Sequence, residues 1–139
     1  IGIMDPGRER YPLDVEIRAG LHWGRHNEKV TNRRFKQKFA SGSELPSFHW
    51  LRYEVYPRVD NSYDIYWQVV NTGAHARSIS GGGRGQIFKG SEVQWERSLY
   101  TGIHWIECFV VEPQRSTCVG RSGPFYVAFN NPEFPYVSE

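Results

Sequence analysis

Leu13, Val15, Ile17 and Ala19 alternate with Asp14, Glu16 and Arg18. An apolar–polar period of two predicts a strand with one face buried and the other in water. The same period returns where Leu51, Tyr53 and Val55 alternate with Arg52 and Glu54, and where Tyr63, Ile65, Trp67 and Val69 alternate with Asp64, Tyr66 and Gln68. The turn formers of Pro57–Ser62 join the last two runs and predict a hairpin. A second hairpin is expected from 103–111, through 112–117, to 118–129, with Gly120, Gly123 and Pro124 breaking the returning strand as a bulge or an edge. Shorter strands fit 84–88 and 95–100. Asn27–Ala40 is ambiguous. Phe35 and Phe39 stand four apart as on a helix, yet Thr31 and Asn32 are weak helix formers, and a basic strand pair or a loop fits equally.

These elements add up to an all-β fold, an antiparallel, immunoglobulin-like β-sandwich of about seven or eight strands. The expected core is Val15, Ile17, Leu51, Tyr53, Val55, Ile65, Trp67 and Val69. We expect one domain over 13–130, a tether over 1–12 and a tail over 131–139. A start at Ile1 with no apolar stretch behind a basic head suits a segment of a longer chain and predicts no secretory signal. No apolar run approaches the roughly 20 residues of a spanning helix, so no membrane partner is expected.

Aromatic residues make up 15% of the 139, far above what a disordered chain carries. The net charge of +2 is too small for a domain that binds nucleic acid by charge alone. The distribution says more. Residues 21–40 hold Arg25, Lys29, Arg33, Arg34, Lys36 and Lys38 against Glu28, a local +5, and the remainder of the chain sums to −3. Bases mixed with Phe35 and Phe39 suit a nucleotide or a single strand, by charge and stacking, although such a cluster is more often a plain solvated surface with its phenylalanines in the core.

Other chemistry is thinly signalled. Ser80–Gly85 is glycine-rich, but no Gly-Lys-Ser/Thr follows, so a phosphate loop of the usual kind is not expected. His22 and His26 lack the intervening Glu of a zincin, the remaining histidines are scattered, and Cys108 and Cys118 are too far apart for a zinc pair; no metal and no cofactor are expected. No serine sits in a Gly-x-Ser-x-Gly elbow. The cysteines are not direct partners across the 112–117 turn, and they read as thiols of a reducing cytoplasm.

Three motifs stand in order. Tyr66–Gly73 runs a strand with Trp67 at its centre into Asn71-Thr72-Gly73, Arg84-Gly85 follows, and Tyr100-Thr101-Gly102-Ile103-His104 leads through Glu107 to Cys108. This series resembles the adenylyl/guanylyl cyclase and SMODS C-terminal sensor domain. The resemblance covers about residues 13–130. It implies a non-catalytic sensor, usually found after a nucleotidyltransferase that makes oligonucleotide signals in bacterial anti-phage defence. It also marks Trp67, Asn71, Gly73, Gly85, Gly102, Glu107 and Cys108 as its structural motif.

Within that frame we expect Trp67 in the core, and Asn71 and Gly73 shaping the turn after it. The ligand-binding set is Arg84, Tyr100, His104 and Trp105, with Arg33, Arg34, Lys36 and Lys38 adding long-range attraction. For Arg84 an internal pair with Glu107 is the alternative, because a buried carboxylate on a strand needs a partner. A protein-interaction sandwich that senses a phage or partner protein through a sheet edge is a second function. A small enzyme with an unrecognised site is a third.

Overall fold

The computed structural model describes residues 11–22, 35–46, 49–71, 85–97 and 102–130, with backbone alone at 35–37, 46 and 130. Those residues form ten strands and no helix. One sheet runs in the order β2 (Phe35–Phe39), β1 (Glu16–His22), β4 (Trp50–Tyr56), β7 (Val93–Arg97). The other runs β3 (Ser43–Pro46), β10 (Phe125–Asn130), β8 (Gly102–Glu112), β5 (Asp64–Asn71), β6 (Ile87–Gly90). A tenth strand, β9 (Thr117–Arg121), shares one edge of the long β8 with β10. Pairing is antiparallel throughout, except that β3 lies parallel to β10 and Leu13 bridges Gly120 in parallel.

The period of two does what it predicts. Val15, Ile17, Ala19 and Leu21 face inward with Leu51, Tyr53 and Val55 from one sheet. Ile65, Trp67, Ile106, Cys108, Val110, Phe125, Val127 and Phe129 meet them from the other, all buried. Val69 is half-buried at the margin of this core. Trp67 is 0% exposed, and its Nε1 donates to the Ser91 carbonyl at 2.7 Å, so the indole loses no hydrogen bond by burial. The Tyr53 ring packs edge-on against Phe39 and Phe125, at 6.1 and 5.7 Å.

The expected hairpin at Pro57–Ser62 is not one. β4 pairs with β1 and β7, whereas β5 pairs with β8 and β6, so the connection crosses from one sheet to the other. The turn chemistry is as expected, with Ser62 N–H donating to Asp60 Oδ1 at 2.8 Å. The crossing sets Leu51, Tyr53 and Val55 opposite Ile65 and Trp67 across one interior. A hairpin would have kept both apolar rows on a single sheet.

The second hairpin is present. β9 returns along β8, the register shifts between Val110 and Val111, and Ser122–Pro124 divides β9 from β10. Within Asn27–Ala40 the described part is strand, not helix: Phe39 pairs with Ala19 and its ring joins the core. The strands expected at 84–88 and 95–100 are β6 and β7, each displaced by two or three residues, with Arg84 and 98–100 outside the described residues. Ten strands replace seven or eight because the sheet edges are short pieces.

Two short links lace the sheets together along their sides. Ala40–Gly42 carries the chain from β2 to β3, and Gly42 N–H donates to the Tyr126 carbonyl at 2.7 Å. Ser91–Glu92 carries it from β6 to β7, and the Glu92 carbonyl accepts from Val55 N–H at 3.0 Å.

Candidate functional site

Of the expected ligand-binding residues, Arg33, Arg34, Arg84 and Tyr100 lie outside the described residues, as does Gly73 of the motif, and Lys36 is described by its backbone alone. Lys38 is placed. It stands exposed on β2 opposite Gly20 and lines a groove of about 420 Å³ between the β1–β2 edge and the break before β10. Glu16, Arg18, Phe39, Ser41, Gly123 and Phe125 are among the other wall residues. Arg18 Nε donates to Glu16 Oε2 at 3.1 Å, and its guanidinium carbon stands 3.3 Å from the centre of the Tyr56 ring. That stacking fixes Arg18 in place. No described carboxylate pairs with Lys38. The groove therefore offers an ammonium that no described carboxylate holds, a second cation held at its rim, and aromatic edges from Phe39 and Phe125.

His104 and Trp105, expected on one surface, are divided by the strand period. His104 points inward and is 2% exposed; Trp105 points outward, opposite Val70 and Tyr126. The His104 ring stacks on Tyr53 with centroids 5.9 Å apart and tilts against Phe129 at 5.3 Å, so its faces are already occupied. Its Nδ1 lies 2.9 Å from Asn71 Oδ1, and since that oxygen only accepts, the ring carries its proton on Nδ1. Burial pushes the His104 pKa down to about 4, and among the described residues His104 Nε2 and Tyr53 Oη have no hydrogen-bond partner. Asn71 ends β5 with its side chain on His104, and the turn it was expected to shape lies outside the described residues.

Glu107 is 2% exposed although it lies on the outward side of β8. Both of its oxygens are taken by Arg121, the first by Nε and the second by Nη2 at 3.3 Å. Among the described residues the partner of Glu107 is Arg121; Arg84, the alternative partner considered above, lies outside them. The signal was available: a return strand that sets Phe109 opposite Arg121 makes Glu107 its diagonal neighbour on the same face.

Gly85, Gly102 and Cys108 sit at a close approach, a strand start and the core respectively. Gly85 lies so close to β5 that a Cβ there would meet Val70 Cγ2 at 2.2 Å and the Val69 carbonyl oxygen at 2.7 Å. Gly102 opens β8 at φ 127°, a backbone angle that favours glycine. Cys108 is buried and Ser122 Oγ accepts from its N–H at 3.0 Å; burial pushes the thiol up to about 12. Cys118 stands opposite Val111, and both thiols are free.

The two sheets make a small all-β sandwich with a charged groove on one side. The chain is a member of the Adenylyl/Guanylyl and SMODS C-terminal sensor domain family, whose model matches residues 7–130. No curated protein matches the chain significantly. The matched span takes in every described residue and all three motifs.

Proposed function

We propose that this sensor domain binds an anionic ligand, a nucleotide or oligonucleotide, in the groove between β1–β2 and residues 122–125. It reports occupancy to an associated nucleotidyltransferase in a bacterial anti-phage signalling system. The observation that carries this reading is the placement of Lys38. It is the one described side chain of the basic segment among those expected to bind ligand, and it lines a groove of about 420 Å³ with Arg18 and two phenylalanines. Pockets for small molecules span about 300–1,000 Å³, so a nucleotide is of suitable size. The family supplies the link to signal synthesis.

The domain itself carries out no chemistry. The groove's hydroxyls are engaged: Ser122 Oγ donates to the Gly123 carbonyl at 2.7 Å, and Ser41 Oγ accepts from Tyr126 N–H at 2.9 Å. Among the described residues no histidine is in its wall, so neither serine has a described imidazole beside it. The test is titration calorimetry with ATP, a cyclic dinucleotide and a short single-stranded RNA, on the wild type and on Lys38→Glu, at low and high salt. At least one of these binds, weakens with salt, and loses about tenfold or more in the variant. Binding that ignores both salt and the substitution contradicts the proposal, as does no binding at all.

A further inference from the structure

The Lys38 groove is not uniformly basic. Among its described wall residues Glu16 is the only acid, set against Arg18 and Lys38. A carboxylate repels phosphate, so a groove that held only the anionic part of a ligand would gain nothing from one. The place of Glu16 on β1 resolves the conflict. Lys38 stands opposite Gly20, four residues along β1 from Glu16. A strand rises about 3.3 Å per residue, so the two charges enter the groove about 13 Å apart. Phe39, opposite Ala19, stands between them. The groove thus has an ammonium end, an aromatic middle and a carboxylate end. A nucleotide matches that order, with phosphate at one end and, at the other, a flat base whose outer edge carries donors and acceptors.

Glu16 is also held in one orientation. Arg18 Nε donates to Glu16 Oε2 at 3.1 Å, and the Arg18 guanidinium is itself stacked on Tyr56. That single bond leaves most of the acceptor capacity unused, since the two oxygens of a carboxylate carry about four lone-pair sites. The side chain is 48% exposed, so a ligand can reach it. An ionised carboxylate accepts hydrogen bonds and donates none. Of the common bases only guanine sets two donors side by side, N1–H and the N2 amine, to meet both oxygens. Adenine and cytosine place a ring acceptor beside their amine, which a carboxylate repels, and uracil flanks its one N–H with carbonyls.

We infer that Glu16 reads the base edge and selects guanine, which makes the ligand of this groove a guanine nucleotide. The inference rests on the nucleotide reading of the groove and narrows it.

Titration calorimetry on the full chain compares GTP, ATP and ITP, whose base lacks the N2 amine. GTP binds at least about tenfold more tightly than ATP, with ITP between them. Glu16→Gln turns one acceptor into a donor and abolishes the preference, with ATP bound no more weakly than by the wild type. Lys38→Glu weakens GTP and ATP alike and keeps their ratio. Glu16 is exposed at the start of β1 and Arg18 keeps its stacking on Tyr56, so Glu16→Gln leaves the fold intact. Equal binding of GTP and ATP, both weakened by Lys38→Glu, overturns the inference and leaves the groove reading standing. A guanine preference that survives in Glu16→Gln overturns it too. Failure of all three nucleotides to bind also overturns it, and the groove reading falls with it only when the cyclic dinucleotide and the RNA fail as well.

Discussion

Replacing His104 with Phe removes a buried titrating ring from between Tyr53 and Phe129. In the unfolded chain the imidazole titrates near its ordinary 6.5, whereas burial pushes it down to about 4 in the fold. The neutral ring's contribution is therefore whole above 6.5. It is lost as pH falls toward 4, because the unfolded chain takes up a proton that the fold refuses. Between about pH 7.5 and about pH 5 the two affinities correspond to about 2 kcal/mol. Urea denaturation of the wild type and of H104F at both pH values reads this directly. The wild type loses about 2 kcal/mol more than the variant over that interval. Other groups, including the Glu96 carboxyl that burial pushes upward, titrate in both proteins and cancel in the difference. At neutral pH the variant is less stable by about 1–3 kcal/mol, because Asn71 loses its partner. Parallel pH curves for the two proteins would refute the placement of His104 as a neutral core ring.

Trp67→Ala removes a fully buried indole and costs about 3–5 kcal/mol, visible as a lower urea midpoint. An unchanged melting temperature would contradict its place in the core. Arg121→Ala leaves the buried Glu107 carboxylate without its guanidinium and destabilises by about 3–5 kcal/mol, whereas removing both charges together costs less than that single change. Gly85→Ala forces Val70 or the β5 backbone to move and destabilises by about 1–3 kcal/mol, while Gly123→Ala, where nothing stands within 4 Å of the new carbon, costs only the strain of its backbone angle.

Which residues face inward was legible because a strand in a sandwich has only two sides. Leu51, Tyr53, Val55, Ile65 and Trp67 follow from alternation alone. Which sheet each strand joins was not legible. Pro57–Ser62 has the same turn chemistry whether the chain reverses beside itself or steps across the core, and the choice is made by pairing distant in sequence: β4 with β1, β5 with β8. The 35–39 segment shows the same limit. Its four-residue spacing of Phe35 and Phe39 suits a helix, but β1 offers an edge, and Phe39 gains contact with Tyr53 and Phe125 by taking it.

The candidate site was legible only in part. The resemblance marked Trp67, Gly85, Glu107 and Cys108, and the structure buries Trp67, Glu107 and Cys108 and sets Gly85 against β5. Proximity in sequence misled for His104 and Trp105, since neighbours on a strand face opposite ways. The groove itself joins β1, β2 and the 122–125 break, three parts of the chain that no local pattern connects.

The claim that this domain senses its ligand in the Lys38 groove is tested most directly by mapping where a nucleotide lands. Amide chemical shifts of the labelled chain are recorded during titration with the tightest-binding of the nucleotides named above. Saturable shifts that cluster at Arg18, Lys38, Phe39 and Ser122–Phe125, and vanish in Lys38→Glu, are the predicted result. Shifts confined to β6 and the outer face of its sheet, or none anywhere at saturating nucleotide, would contradict it.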